Sequence, residues 1–162
     1  MGAEPGRSAY LDALHLLSRR ALTVAECRER LLDRDHTEDS IDAAIAHLLE
    51  TGGLDDRRLA AAYARTSVEV KGRGRLRVVR ELQGRGVDKE VAAEAVGEVF
   101  GEKDERALVA RALQKKLRGR AKPANSADYA RLYQYLMRQG FSPAVVIESL
   151  RKLRGSSVEE VE

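Results

Sequence analysis

A single cysteine, Cys27, is all that the 162 residues contain, so neither an intrachain disulfide nor a cysteine-rich zinc site can form, and a reducing compartment is expected. Cys27 falls on an apolar stripe with no His and Asp pattern beside it, the setting of a small buried hydrophobe rather than a nucleophile. Aromatic residues make up only 4% of the chain against 34% charged residues. This excludes a thick aromatic core and favours solvated helices joined by thin aliphatic seams. Long apolar runs are missing too. The longest, Leu59 to Ala64, is far short of the ~20 residues that cross a bilayer, and Met1-Gly2-Ala3-Glu4-Pro5 lacks the apolar stretch of a secretory signal. A cytoplasmic protein with no membrane association is therefore expected.

Catalytic constellations are also absent. There is no Ser/His/Asp arrangement, no pair of carboxylates framing a cleft and no cofactor motif, so the chain reads as a non-enzyme without cofactor. His15, His36 and His47 are scattered, with only His15 near an apolar seam, and no acidic or thiol ligand stands at metal-site spacing from them. Gly72-Arg73-Gly74 lacks the longer phosphate-loop pattern and follows a helix rather than a strand. The Asp55-Asp56 pair opens a helix, where one carboxylate caps free amides and the other complements the macrodipole, so no metal is expected there.

What remains is helical periodicity. Ser8 caps a first helix with Tyr10, Leu14 and Leu17 on one face, ending near Arg20; Thr23 and Glu26 have capping-box spacing for a second, with Val24, Cys27 and Leu31 inward. Thr37 caps a third, with Ile41, Ile45, Leu48 and Leu49 as its stripe, closed by Gly52 and Gly53. The same plan then returns. A helix with the seam Leu59, Tyr63, Thr66 and Val70 breaks at Gly72 and Gly74. A second carries Leu76, Val79 and Leu82 to Gly84 and Gly86, and Asp88 caps a third with Ala92, Val96, Val99 and Phe100 inside. In the last part Leu108, Val109, Ala112 and Leu113 are followed by Tyr129, Leu132, Tyr133 and Leu136, then by Ser142-Pro143 opening a helix with Val146, Leu150 and Leu153.

Shifting the first part by 51 positions lays Leu31 on Leu82, Arg34 on Arg85, Ile45 on Val96 and Leu48 on Val99. Shifting the middle part by 54 lays Leu82 on Leu136, Arg85 on Gln139, Gly86 on Gly140 and Asp88 on Ser142. The expected architecture is all-α: three tandem three-helix repeats, residues 8–52, 53–101 and 104–154, stacked into an elongated or curved rod, with a disordered acidic tail at 155–162.

Net charge is only +3, so distribution is the informative quantity. Lys71, Arg73, Arg75, Arg77, Arg80 and Arg85 are opposed within their segment by Glu81 alone. Arg106, Arg111, Lys115, Lys116, Arg118, Arg120 and Lys122 run without any acid among them. A helix C-terminus favours cations, but a loop continuing with Arg120 and Lys122 exceeds that need. Both clusters are candidate contacts for phosphates or an acidic protein surface. Tyr129 and Tyr133 share a face and read as core, while Tyr135 is open between core and base stacking.

The arrangement of Leu16-Leu17-Ser18-Arg19-Arg20 and Leu22-Thr23, then Gly53-Leu54-Asp55-Asp56, then Lys71-Gly72-Arg73-Gly74 with Glu81-Leu82 and Arg85-Gly86-Val87, resembles the RecX family of recombinase regulators. Tyr135-Leu136-Met137-Arg138-Gln139-Gly140-Phe141-Ser142 is similar to that family's C-terminal repeat, so the resemblance covers residues 8 to 154. It implies a bacterial protein, expected as a monomer, that binds the RecA filament along its groove, inhibits its ATPase and strand exchange, and so modulates recombination, DNA repair and the SOS response. It also implies contact with DNA, single-stranded and as an open alternative double-stranded, weak or without sequence specificity. Leu54, Asp55, Asp56, Gly72, Gly74, Gly86 and Gly140 are its structural motif residues. One departure stands out: the first repeat has Asp35-His36 where the others have Gly86 and Gly140, and an aspartate enters the left-handed region only at some cost.

Two other readings remain. A helix-turn-helix-like DNA-binding protein acting without a recombinase would use the capped third helices. Yet Ala92-Ala93-Glu94-Ala95-Val96-Gly97-Glu98 offers no Arg, Asn or Gln to read bases. A helical-repeat adaptor without nucleic acid would bind equally well with the basic clusters neutralised.

Overall fold

The computed structural model describes residues 8–101 and 103–159, the last three of these as backbone only. The N-terminal stretch read for a signal, and residues 160–162 of the acidic tail, lie outside the described residues. Among the described residues there are nine helices and no strand: α1 (Ala9–Arg19), α2 (Val24–Leu32), α3 (Glu38–Thr51), α4 (Asp56–Glu69), α5 (Arg75–Gly84), α6 (Lys89–Phe100), α7 (Glu105–Leu117), α8 (Ser126–Gln139) and α9 (Pro143–Glu159). None of these helices is long and apolar enough to cross a membrane.

The helix starts follow from short polar side chains that satisfy otherwise orphaned amides. Ser8 accepts from the Leu11 N–H and Thr37 from the Ser40 N–H, and Thr23 with Glu26 forms a complete capping box. Asp55, not Asp56, caps α4, its Oδ1 accepting from the Arg58 N–H at 3.0 Å. Asp104 and Asn125 cap α7 and α8, and Gly52 and Gly140 close α3 and α8 in the left-handed conformation. α9 runs to Glu159, past the end expected at Gly155. The backbone there has open space around Gly155, and Ser156 Oγ donates back to the Lys152 carbonyl at 3.0 Å.

Several seams differ from those expected. In α1 the inward face is Ala9, Asp12, Ala13 and Leu16, while Leu14 is 40% exposed and His15 points to water. The reason is the hydrogen bond between Asp12 Oδ2 and His36 Nε2 at 2.7 Å, both side chains nearly enclosed, which turns a carboxyl group inward where an apolar-stripe reading rejects one. In α4 the buried set is Leu59, Ala60, Ala64, Ser67 and Val68, so Thr66 and Val70 of the expected seam face solvent. Leu49 and Leu76 are likewise about half exposed, at 49% and 48%, because neighbouring positions Leu48 and Val78 take the core places.

The chain divides into two compact units, one of Met1–Ala62 with Glu81–Ala95 and one of Tyr63–Arg80 with Val96–Glu162. Helices α4, α5 and α6 each contribute to both. In the first unit α1, α2 and α3 enclose Leu16, Leu22, Cys27, Leu31, Ile41, Ile45, Leu48 and Leu54. In the second, α7, α8 and α9 enclose Val109, Leu113, Leu132, Leu136, Phe141, Val146 and Leu150. Each such side chain fully withdrawn from water contributes roughly 1.5–3 kcal/mol before the cost of ordering it.

Within each unit one junction recurs. In the first, the turn after α5 meets the start of α2. Thr23 Oγ1 donates to the Arg85 carbonyl at 2.7 Å, Arg85 Nε donates to Glu26 Oε1 at 2.9 Å, and a Cβ on Gly86 would fall 2.4 Å from the Ala25 methyl. Asp56 joins this junction, its Oδ1 accepting from the Val24 N–H at 3.0 Å. In the second unit the turn after α8 meets the start of α5. The Gly74 N–H donates to the Gln139 carbonyl at 2.7 Å and the Leu76 N–H to the Gly140 carbonyl at 3.1 Å, so carbonyls at the end of α8 cap the start of α5. Arg77 Nη1 donates to Gln139 Oε1 at 3.4 Å. Gly74 and Gly140 lie backbone to backbone, since a Cβ on Gly74 would sit 2.4 Å from the Gly140 carbonyl carbon.

Candidate functional site

The two units differ sharply in charge. The first holds ten Lys and Arg residues against sixteen Asp and Glu, the second nineteen against ten. The overall +3 therefore conceals an acidic unit and a strongly basic one, and all the exposed candidate contacts lie in the basic unit. A polyanion or an acidic protein surface is the complement that such a unit attracts.

The first basic cluster is not uniform. Lys71, Arg75 and Arg80 are exposed, whereas Arg73 and Arg77 are half-buried. Arg73 Nη1 donates to the Tyr63 hydroxyl at 3.2 Å, and Arg77 is held on the α8 turn through Gln139. Lys71 Nζ lies 5.5 Å from the centre of the Tyr63 ring, a cation–π contact that holds the loop against α4. Gly72 makes the turn itself with φ 64°, and the Arg73 N–H closes the end of α4 by donating to the Ser67 carbonyl at 3.0 Å. Arg85, counted with this cluster in the sequence, belongs to the other unit and is spent on Glu26.

That pairing has an electrostatic signature. Burial pushes the Glu26 carboxyl up, but the Arg85 guanidinium and the Thr23 N–H outweigh it and hold the group below its ordinary value. Burial also pushes Asp56 up, and there it prevails over the Val24 N–H, helped by the nearby charges of Asp55 and Glu26. Both carboxylates are structural members of a helix junction.

The second cluster comes from α7 and the loop after it. Arg106, at its start, is tied to Glu148, Nε to Oε2 at 3.1 Å. Arg111 and Lys115 are exposed on α7, and Arg118, Arg120 and Lys122 are exposed beyond its end. A shallow groove is lined jointly by Val70 and Gly72 from the loop and by Arg111 and Lys115 from α7. Segments that lie some forty positions apart in the sequence thus share one surface, Val70 and Gly72, the chain neighbours of Lys71, lining it together with Arg111 and Lys115. Lys116, next along α7, turns away and places Nζ 4.7 Å from the centre of the Tyr135 ring.

Sequence reasoning missed Arg131 and Arg138, which join Lys116, Arg120 and Lys122 around a second cleft. A signal existed: Arg131, Tyr135 and Arg138 are spaced i, i+4 and i+7, one stripe of α8. By contrast, α6 turns Glu90, Glu94 and Glu98 to solvent, an acidic face unsuited to a DNA groove. Among the described residues no group of three or more His, Cys, Asp or Glu side chains converges as a metal site.

Comparison with known proteins gives a consistent result along the chain. The first three-helix domain of RecX matches residues 9–48, the second residues 55–96 and the third residues 104–150. The regulatory protein RecX of Chromobacterium violaceum is 36% identical over 150 residues, covering 93% of this chain and 92% of that protein. The regulatory protein RecX of Halorhodospira halophila is 35% identical over 131 residues, covering 80% and 78%. The crystal structure of RecX from Lactobacillus salivarius is similar with a TM-score of 0.76 over 90% of this chain and 94% of that one, at 24% identity, a likeness of fold.

Proposed function

This chain belongs to the RecX family of regulatory proteins, and from that premise we propose that it binds the RecA nucleoprotein filament in the cytoplasm and inhibits its ATPase and strand exchange. The observation that carries this is the match of all three RecX domains, in order, across 9–48, 55–96 and 104–150. On this reading the chain acts as a monomer whose repeats, 8–52, 53–101 and 104–154, work together, and it needs no cofactor. The surface around Lys71, Arg75, Arg111 and Lys115 supplies the contact with filament phosphates or acidic protein, weak and without sequence preference on bare DNA. A regulator that holds neighbouring recombinase subunits in one arrangement suppresses the changes between subunits that ATP turnover requires.

ATP hydrolysis by the cognate RecA on single-stranded DNA, titrated with this protein at fixed salt, tests the proposal. Strong inhibition well below one molecule per recombinase is expected. Unchanged hydrolysis at a molar excess, with binding to bare DNA retained, would instead favour a DNA-binding protein acting without a recombinase.

A further inference from the structure

The cleft beside Tyr135 has a volume of about 460 Å3, within the range of sites that enclose a small ligand. It has three walls. The last turn of α7 contributes Lys116, the loop after it Arg120 and Lys122, and α8 contributes Arg131 and Arg138. The buried Pro123 and Leu132 and the half-buried Tyr135 also line it, with Lys116 Nζ 4.7 Å from the centre of the Tyr135 ring.

Five cations thus face one carboxylate, Asp128, and that carboxylate is already engaged. Its Oδ2 accepts from the Ala124 N–H at 3.0 Å, fastening the loop to α8, and its Oδ1 accepts from Arg131 Nη1 at 3.3 Å. Helix-end electrostatics do not account for the arrangement. They favour Lys116 and Arg138, each in a last turn, but Arg120 and Lys122 lie outside any helix and Arg131, in the second turn of α8, is beyond the reach of either helix end. The cleft therefore gathers like charges at an apolar, partly aromatic floor, an arrangement that a bound polyanion relieves.

We propose that this cleft binds a nucleoside polyphosphate, with Arg120, Lys122, Arg131 and Arg138 around the phosphates and the base against Tyr135 and Leu132. Bidentate guanidinium contacts suit phosphate oxygens, and the aromatic face with its neighbouring aliphatic floor suits a purine. Strand-binding surfaces track several nucleotides at ~4–16 per site, whereas this cleft has room for about one. The same chemistry is offered by a free nucleotide and by the 5′-phosphorylated end of a strand. Neither requires a recombinase, so the proposal stands or falls separately from the inhibition of RecA.

The test is calorimetric titration of the full chain, at one fixed low salt, with ATP, AMP, inorganic triphosphate, and a short oligothymidylate carrying a 5′-phosphate or a 5′-hydroxyl. ATP is expected to bind at least about tenfold more tightly than AMP, as charge-assisted contacts to added phosphates require. Arg120→Glu with Arg138→Glu should weaken ATP at least about tenfold. Arg120→Gln alone, on an exposed loop, should act in the same direction if the double variant does not fold. Tyr135→Leu should weaken ATP but not inorganic triphosphate. Displacement of ATP by the 5′-phosphorylated oligonucleotide only would keep the chemistry and assign its source to a strand end. Absence of ATP binding, indifference to the arginine variants, equal affinity for ATP and triphosphate, or equal displacement by both oligonucleotides would each overturn the proposal.

Discussion

Glu26 and Asp56 carry opposite titration signatures in the junction they share with Arg85, and this makes their contribution measurable. Because the Glu26 carboxyl is held below its ordinary value, its stabilisation is present above the unfolded value of about 4.3 and is lost as pH falls through the lower folded value. Arg85→Ala, which removes the nearest cation from a carboxylate with only 17% of its side chain exposed and leaves it the Thr23 N–H and the more distant Arg20, is expected to cost about 1–3 kcal/mol at neutral pH by urea denaturation. That difference should shrink toward zero in acid; a cost independent of pH would mean that Arg85 acts through packing alone. Asp56, raised by burial, has the reverse dependence, its ionised form opposing folding as pH rises through its folded value. Asp56→Asn keeps an acceptor for the Val24 N–H, so it should be tolerated at neutral pH and lose any advantage over the parent in acid. Asp35 supplies a third case. It holds φ 60° as a non-glycine residue, and Asp35→Gly is expected to stabilise the protein by about 0.5–1 kcal/mol in the same assay, the left-handed strain removed outweighing the added freedom of the unfolded chain.

At the level of elements, the glycines after α5 and α8 do more than turn the chain. Gly140 holds φ 95°, and a Cβ there would fall 2.3 Å from the Arg77 amide nitrogen; Gly72, with φ 64°, has open space around it. Gly140→Ala should therefore destabilise by more than about 3 kcal/mol, combining strain with a backbone clash, against about 1–2 kcal/mol for Gly72→Ala. Thermal unfolding of the two variants side by side checks the ranking, and equal losses would show that backbone conformation alone matters. The repeat itself was legible in the sequence, since the shifts aligned Arg85 with Gln139 and Gly86 with Gly140. Helix starts were legible too, because Ser8, Thr23 and Thr37 cap through neighbours three positions away. Contacts made across the chain were not. That Glu26 would meet Arg85, or that Gly74 would lie on Gly140, depends on which helix end docks on which. The inward face of α1 was misread because its polar centre, Asp12, is satisfied by His36, 24 positions on. Asp35 is tolerated for a related reason: it is exposed, whereas Gly86 and Gly140 are each met by the start of another helix.

The whole molecule is organised by charge, and its activity should follow the same division. The sequence displayed both basic clusters but could not show that Arg77 and Arg85 are bound to α8 and α2, or that Gly72 and Lys115 line one groove. The useful variants are therefore those at exposed positions: Lys71→Glu with Arg75→Glu, and Arg111→Glu with Lys115→Glu. Each pair is expected to raise the concentration giving half-inhibition of RecA ATPase at least about tenfold, and added salt should weaken the parent protein more than either variant. Arg30→Glu with Arg34→Glu, equally exposed but in the acidic unit, changes total charge by the same amount and should leave inhibition within about twofold. If that control is as damaging as the other two, net charge rather than the surface beside α7 governs the encounter. If all three variants inhibit like the parent, the filament contact does not depend on these charges, and the exposed apolar side chains of Val70 and Leu76 become the next positions to change.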